Sequence, residues 1–332
     1  MLRIVFFTLS FMLLAGCDGL SQWAYNAGLS AEKSRAGLVD KQIDTTDGIH
    51  WAYLDSETTN DLPAVMLVHG FGADSSNWVR MVNELEGEYR FIVPDLPGHG
   101  DSTRDLSLDY SIEPQAQRLL TLADALDVDQ FHIAGSSMGG AISISVSLQA
   151  PQRVLSLGLL NAAGVTLVTP EFAALIEQGN NPLIPQTPDD MFTTMDWAMA
   201  DAPWMPDFFV TEMGKLKAAN YDVAVKVHDD INGEMQYAER LGEIRAPTLI
   251  VWGELDRLLG LDNAEVFDQQ IRNSRAVILK DIGHLPMAEA PAKTADALRR
   301  FWQEAHTQAQ HTAQQLEQMA TSEALATDQG TN

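Results

Sequence analysis

The sequence Gly135-Ser136-Ser137-Met138-Gly139 places a serine at the centre of a G-x-S-x-G motif. This spacing is typical of a sharp strand-to-helix turn, because flanking glycines let neighbouring backbone pass close to the serine. Residues 131–134 predict the strand, and the motif predicts a helix after it, although residues 141–148 alternate like a strand. We therefore expect Ser137 to present its hydroxyl as a nucleophile; a plain turn serine is the alternative.

A serine hydroxyl is a weak nucleophile at neutral pH, so it needs a base and a carboxylate that orients the base. Of eight histidines, His284 is the candidate base, because it directly follows the last predicted strand. Asp256 lies just beyond the strand predicted at 248–252, where catalytic groups gather in open α/β sheets. Glu254 in the same loop is the alternative carboxylate, and His132 is expected to be a core histidine within a strand.

Two backbone N–H groups are needed to hold the oxyanion that forms during acyl transfer. Met138, directly after the serine, is expected to supply one of them. Phe71 in His69-Gly70-Phe71-Gly72 is expected to supply the other, because this loop follows a predicted strand and its glycines allow a tight turn. No cluster of histidines and carboxylates has metal-ligand spacing, so we expect neither a metal nor an organic cofactor.

The composition limits what the protein can bind. The chain has 332 residues, 21 basic against 46 acidic, and a formal net charge of −25. Nucleic-acid binding needs clustered lysine and arginine, so this charge excludes it as a general activity. With 45% apolar residues, the chain can form one large domain or two modest ones.

Short apolar runs alternate with helical patterns along most of the chain, after an early hairpin around Thr46-Asp47-Gly48. Runs of this kind, bounded by glycine and proline, are typical of strands buried on both faces of a parallel sheet. The alternation predicts a doubly wound α/β fold, a mostly parallel twisted sheet with helices on both faces. The predicted strands are residues 64–68, 91–93, 130–134, 154–160, 248–252 and 276–279, with helical patterns such as 112–126 and 263–271.

A long insert interrupts this alternation at residues 165–245, far beyond an ordinary connection. It is rich in methionine and aromatic residues and predicts a helical cap, inserted late in the sheet between core segments 38–164 and 246–307. Flexible methionine side chains would suit an apolar acyl pocket for medium chains, or they pack the cap against itself. Residues 308–332 form a polar tail that we expect to be disordered.

The N-terminus predicts a secretory signal peptide, because Arg3 precedes an apolar run at residues 4–14 that is short for a membrane span. The run ends in Leu14-Ala15-Gly16-Cys17, which resembles the bacterial lipobox. The resemblance implies cleavage after residues 1–16 and lipid attachment at Cys17. The apolar residues Leu20, Trp23, Tyr25 and Leu29 predict a short amphipathic membrane tether over residues 17–37. Asp18 resembles an inner-membrane retention signal. An ordinary signal peptide or a buried thiol at Cys17 are the alternatives, and no later segment is apolar enough to span a membrane.

Five motifs follow one another along residues 43–303. They are His69-Gly70-Phe71-Gly72, Asp95-Leu96-Pro97-Gly98-His99-Gly100-Asp101-Ser102, the motif around Ser137, Gly253-Glu254-Leu255-Asp256 and Gly283-His284-Leu285-Pro286. Together they resemble the α/β-hydrolase superfamily, closest to the bacterial family V esterases and lipases. The resemblance implies a serine carboxylesterase or lipase with the triad Ser137, Asp256 and His284 and an oxyanion hole at Phe71 and Met138.

The expected partner is therefore a small ester or an acyl lipid. The protein itself is expected to be anchored to a bacterial membrane and to face the periplasm or the exterior. Hydrolases of C–C bonds in meta-ring-fission products are the nearest alternative, although Leu285-Pro286 stands where they carry tryptophan after the histidine. Lactonases, amidases and cofactor-free haloperoxidase-like esterases share the pattern. A non-catalytic binding lipoprotein is the alternative outside the enzymes, and the sequence leaves the oligomeric state open.

Overall fold

The computed structural model describes residues 2–57, 62–85, 87–165, 168–233 and 236–307, with side chains described from residue 19 onward. The described strands form a single sheet in the order β1-β2-β4-β3-β5-β6-β7-β8. β1 and β2 form an antiparallel hairpin, β2 pairs antiparallel with β4, and all other pairs are parallel. The strands are β1 (Val39–Asp44), β2 (His50–Asp55), β3 (Ala64–Val68), β4 (Arg90–Pro94), β5 (Phe131–Ser136), β6 (Val154–Leu160), β7 (Thr248–Gly253) and β8 (Ser274–Leu279).

Helices cover both faces of this sheet. α3 and α4 bury residues in the apolar cluster on one face, whereas α2, α10 and the helical backbone over 291–307 contribute to the cluster on the other. The helices are α1 (Leu2–Arg35), α2 (Val79–Asn83), α3 (Ile112–Ala125), α4 (Met138–Gln149), α5 (Pro170–Glu177), α6 (Asp190–Ala198), α7 (Asp207–Ala218), α8 (Tyr221–Ile231), α9 (Asp262–Gln270) and α10 (Pro286–Glu289).

The central strand β3 shows why the apolar runs predict this sheet. All five of its residues are buried. Met66 and Val68 pack into the cluster on one face, and Val65 and Leu67 pack into the cluster on the other. Successive side chains of a strand point to opposite faces, so a strand covered on both sides must be apolar throughout. The predicted doubly wound α/β fold is confirmed.

The alternating pattern at residues 141–148 forms a helix, not a strand. It belongs to α4, and the residues from Met138 to Ser147 are buried, because the helix lies between the sheet and α3. The serines are tolerated there because a buried hydroxyl can bond to the preceding turn: Ser143 Oγ donates to the carbonyl of Gly139 at 2.7 Å. The glycine motif therefore predicts this element better than its hydropathy does.

The segment between β6 and β7 carries α5 to α8, so the helical cap is inserted late in the sheet. Met191 and Met195 of α6 pack against Val210 of α7 in a small apolar cluster of their own. Val227 and Ile231 of α8 instead pack into the main core. The cap is therefore anchored to the sheet by its last helix, while α6 and α7 form a separate layer.

Helix α1 ends in a turn that ties it to the core. Gly37 has φ 65°, and the N–H of Leu38 donates to the carbonyl of Lys33 at 2.9 Å, an arrangement that satisfies carbonyls at a helix C-terminus. Ala36 and Leu38 are buried in the core. Among the described residues, no helix combines the length and apolar character needed to cross a bilayer. The predicted lipid attachment at Cys17, the signal peptide side chains and the polar tail at 308–332 lie outside the described side chains.

Candidate active site

Ser137 occupies a sharp turn between β5 and α4. Its backbone has φ 53° and ψ −123°, a conformation that residues other than glycine rarely adopt. The glycines of the motif are required by contact. A Cβ atom at Gly135 would lie 2.0 Å from the carbonyl oxygen of Gly139, and one at Gly139 would lie 2.3 Å from that of Val68. The close passage of these backbones fixes the turn and with it the position of the serine.

His284 and Asp256 are in direct contact with each other. Nδ1 of His284 lies 2.7 Å from Oδ2 of Asp256, and both residues are buried. The other oxygen of Asp256 accepts the N–H groups of Leu258 and Leu259 at 2.8 and 3.1 Å. The carboxylate is thus held in place and oriented toward one ring nitrogen, which leaves Nε2 of His284 available to another group.

A cavity of about 400 Å³ brings the serine and the histidine together. Ser137 and His284 both line it, as does the turn that contains Gly70 and Phe71. A Cβ atom added to Gly70 would lie 3.0 Å from Cβ of Ser137, so this turn packs directly against the strand-to-helix turn. The hydroxyl, the imidazole and the glycine turn thus belong to the wall of one cavity.

Met138 directly follows the serine, and Phe71 lies in the glycine turn that packs against it. The N–H of Ala73 donates to the carbonyl of Gly70 at 3.2 Å, which closes a four-residue turn with Phe71 at its second position. That position takes no part in the hydrogen bond of the turn. Met138 is the first residue of α4, and N–H groups in the first helical turn have no acceptor within the helix. Both groups are chemically suited to bind an oxyanion.

His69 holds the glycine turn and does not act as a base. Its Nδ1 lies 2.8 Å from the carbonyl of Gly70, and its Nε2 accepts the N–H of Leu96 at 2.9 Å, so the proton resides on Nδ1. Burial lowers the pKa of His69, and the nearby Asp95 carboxylate offsets this only in part. The neutral ring therefore connects the glycine turn to the residues that follow β4 by two hydrogen bonds.

The side chain of Asp95 fixes the shape of the loop after β4. One carboxylate oxygen accepts the N–H of Ser75 at 2.8 Å and the other accepts the N–H of Asp101 at 2.9 Å. A Cβ atom at Gly100 would lie 2.0 Å from that carboxylate, which explains the glycine. Burial lowers the pKa of His99 well below its usual range. The motif thus holds its own loop and the turn at Ser75 in place.

The other carboxylate and histidine that the sequence offers lie outside the cavity. Glu254 is exposed and its carboxylate accepts the N–H of Asp281 at 3.4 Å. His132 is buried in β5 beside Ser156 Oγ at 2.7 Å, and burial lowers its pKa to about 3. Neither contacts the cavity, so His132 is the core histidine that the sequence predicts.

Two residues that the sequence analysis did not identify hold the loops of the site. Asn161 donates from Nδ2 to Asp256 Oδ2 at 2.7 Å and accepts the N–H of Gly253 at 3.0 Å. Glu289 accepts the N–H groups of Gly283 and of Leu285 at 2.9 and 3.1 Å, on either side of His284. Neither residue belongs to a recognisable motif. Their partners lie in other parts of the chain or in a loop whose shape the sequence does not reveal.

Two charged pairs in the cavity wall connect the helices and loops that surround it. Lys217 of α7 lies 2.7 Å from Asp74, which follows the glycine turn, and Arg80 of α2 lies 3.1 Å from Glu32 of α1. Burial raises the pKa of Asp74, but the Lys217 ammonium and the hydrogen bonds from Lys217 and Ser76 outweigh it, so this pKa falls well below its usual range. The cap and α1 are thus both tied to the loops beside the serine.

The remaining wall of the cavity is largely apolar. Methionines of the cap supply much of it, and these side chains also pack against one another. That they receive an acyl chain stays a prediction. The methionines that line the cavity are Met191, Met195, Met199, Met205 and Met213. The ring of Trp197 instead stacks on the guanidinium of Arg257, whose Cζ lies 4.2 Å from the centroid of that ring. Within the described part of the chain, no cluster of three or more histidine, cysteine or carboxylate side chains could hold a metal ion.

Comparison with known proteins gives the same assignment as the fold. Residues 65–297 match the model of the alpha/beta hydrolase family, and the chain therefore belongs to that family. The chain is similar to Lipase 1 of Psychrobacter immobilis, with 29% identity over 90% of this chain and 96% of that lipase. Lipase 3 of Moraxella sp. (strain TA144) is 30% identical over 81% of this chain and 86% of its own length.

A solved structure described as a membrane phospholipase A and bacterial virulence factor is also similar. It has a TM-score of 0.83 and 30% identity, and the match covers 92% of this chain and 99% of that one. The α/β-hydrolase fold predicted from the motifs is confirmed.

Proposed function

We propose that this protein is a serine carboxylesterase or lipase that hydrolyses short- to medium-chain acyl esters through an acyl-enzyme. The observation that carries the proposal is the cavity shared by Ser137 and His284, with Asp256 bonded to the far side of the imidazole. The similarity to lipases supports ester bonds as the target.

In the proposed mechanism, Nε2 of His284 accepts the proton of Ser137 as the hydroxyl oxygen attacks the ester carbonyl. Asp256 holds the proton of the imidazole on Nδ1 and stabilises the imidazolium that forms. The N–H groups of Phe71 and Met138 bind the oxyanion of the tetrahedral intermediate. His284 then protonates the leaving alcohol, and a water molecule, deprotonated by the same imidazole, releases the acid and restores Ser137.

The apolar wall supports an acyl chain as the part of the substrate that enters the cavity. Pockets of several hundred Å³ with a few polar groups are typical small-molecule sites. Methionine side chains adapt to chains of different shape, which favours a range of acyl lengths over a single one. The polar groups beside the serine would face the ester and the alcohol.

The first experiment measures hydrolysis of p-nitrophenyl esters from acetyl to palmitoyl by the full chain in detergent. We expect turnover by the parent protein and a fall of roughly 10⁴-fold or more in Ser137→Ala, because the triad acts as a unit. Ser136→Ala is the matched control, since its buried hydroxyl has no hydrogen-bond partner among the described residues. A parent protein that neither turns over any ester nor reacts with a fluorophosphonate would exclude the proposal.

We further propose that the protein is attached to a bacterial membrane by lipid on Cys17, with Asp18 favouring the inner membrane. The sequence Leu14-Ala15-Gly16-Cys17 supports this assignment. Several acyl chains on one residue suffice for stable anchoring. Cells expressing the full chain should incorporate radiolabelled palmitate into it and retain it with the membranes until detergent is added. Cys17→Ser should lose the label, and equal labelling of both proteins would exclude the anchor.

A further inference from the structure

The described part of α1 forms one wall of the cavity. Tyr25, Leu29 and Glu32 are spaced four and three residues apart, so they share one face of the helix, and all three line the cavity with Ser137 and His284. The sequence predicts a membrane tether at residues 17–37. The packing of α1 gives this segment a place in the binding site as well.

The contact between α1 and cap helix α7 is close. The rings of Tyr25 and Phe209 have centroids 4.9 Å apart, and Ser21 Oγ donates to Glu212 at 2.5 Å. A Cβ atom at Gly28 would lie 2.6 Å from the tip of the Phe209 ring, so the absence of a side chain there lets the two helices approach. α1 is therefore packed against the cap and is not a free linker.

The C-terminal part of α1 is fixed to the core. Glu32 binds Arg80 of α2, and this helix directly follows the short turn of residues Ser75–Trp78 beside the glycine turn of the site. Ala36 and Leu38, just beyond the helix, are buried. Contacts with the cap near Tyr25 and with the core from Glu32 onward thus hold Leu29, which lies between them, in the cavity wall.

We propose that α1 is a specificity element, in which Leu29 and Tyr25 limit the length of the acyl chain that the cavity accepts. The inference rests on the proposed esterase function for its substrate class. Leu29 presents an apolar side chain to the cavity, so an acyl chain that packs against Leu29 is removed from water. Each methylene that is excluded from such a site lowers kcat/KM by about fourfold.

The test replaces Leu29 with a bulkier residue and measures kcat/KM on p-nitrophenyl esters from acetyl to dodecanoyl, with the full chain in detergent. Leu29→Trp should retain acetyl ester hydrolysis within about threefold and lose at least tenfold on the longest ester that the parent accepts, as about two excluded methylenes would give. Ser30→Trp is the matched control, because Ser30 is the exposed neighbour on the same helix, and its chain-length profile should equal that of the parent.

Leu29→Ala tests the same wall in the opposite direction and does not depend on accommodating an indole. The ratio of dodecanoyl to acetyl ester hydrolysis should rise about fourfold or more as the cavity lengthens. Profiles of Leu29→Trp and Leu29→Ala that match the parent would overturn the proposal even if the parent is an active esterase.

Binding of octanoate, measured by isothermal titration calorimetry, separates this inference from the proposed function. Leu29→Trp should bind octanoate at least tenfold more weakly than the parent, and Ser30→Trp should bind it equally. If the parent hydrolyses no ester, the esterase function fails while this comparison still decides whether α1 forms the wall of an acyl site. Equal binding by Leu29→Trp, or no binding by the parent, would overturn the proposal.

Discussion

Asn161 lies where the loops of the site converge, at the end of β6. Its amide donates to Asp256 and to the carbonyl of Gly283 at 2.7 and 3.4 Å, and its oxygen accepts the N–H of Gly253. Its φ of 42° is in the left-handed region, where asparagine is tolerated better than most residues. A single amide thus sets the separation between the loop of Asp256 and the loop of His284.

Replacing Asn161 with glycine should lower kcat on a p-nitrophenyl ester about 10- to 100-fold and leave KM nearly unchanged. Glycine accepts the positive φ, so the change isolates the loss of the amide. A hydrogen bond to a charged group contributes about 1.5–3 kcal/mol, which corresponds to that range of rates if it orients Asp256. Asn273→Ala, at an exposed position, is the control. A kcat within twofold of the parent would show that Asn161 does not position the carboxylate.

The residues of the candidate site differ in how far the sequence reveals them. Ser137 and His284 stand beside glycines that close backbone contacts require, so type and spacing predict both. Asn161 stands in no motif, because its partners are brought near by the fold, and Glu289 binds Gly283 and Leu285 in a loop whose shape no motif encodes. The distance between Asn161 and Gly283 in the sequence is 122 residues, and no local pattern encodes such a contact.

Among the elements, β3 and α4 show the strength and the limit of hydropathy. β3 is apolar throughout because it is covered on both faces, and its run predicts a buried strand. α4 is equally buried, so its hydropathy has no helical period, and residues 141–148 resemble a strand. The close approach of Gly139 to the backbone of Val68 explains why the glycine motif is the better guide to this element.

Helix α1 shows a different limit. The apolar residues that include Tyr25 and Leu29 predict an amphipathic tether after Cys17, and residues up to Arg35 are helical. An apolar face does not specify what covers it, and here it meets α7 and the cavity as well as solvent. The membrane tether stays a prediction, and the contacts of the described side chains with α7 and the cavity are what the sequence does not reveal.

For the molecule as a whole, buried neutral histidines couple stability to pH. Burial lowers the pKa of His69 and His99, and it lowers that of His132 to about 3. In the unfolded chain a histidine titrates near pH 6.5. Below that pH the unfolded state binds protons that the folded state excludes, so the free energy of unfolding falls on acidification.

His132→Gln should therefore lose less stability than the parent on acidification. Each pH unit between 6.5 and 3 costs the parent about 1.4 kcal/mol through His132, or about 2 kcal/mol by pH 5. Urea unfolding at pH 7 and pH 5 measures the loss in each protein, and the comparison cancels the effect of the acidic surface that they share. Equal losses would show that His132 is protonated in the folded protein.

Helix α1 is continuous from Leu2 to Arg35, and its C-terminal part lines the cavity. A chimera that exchanges residues 1–37 for an affinity tag would therefore lose one wall of the cavity. The N-terminal segment and the cavity are not separate modules that can be exchanged independently.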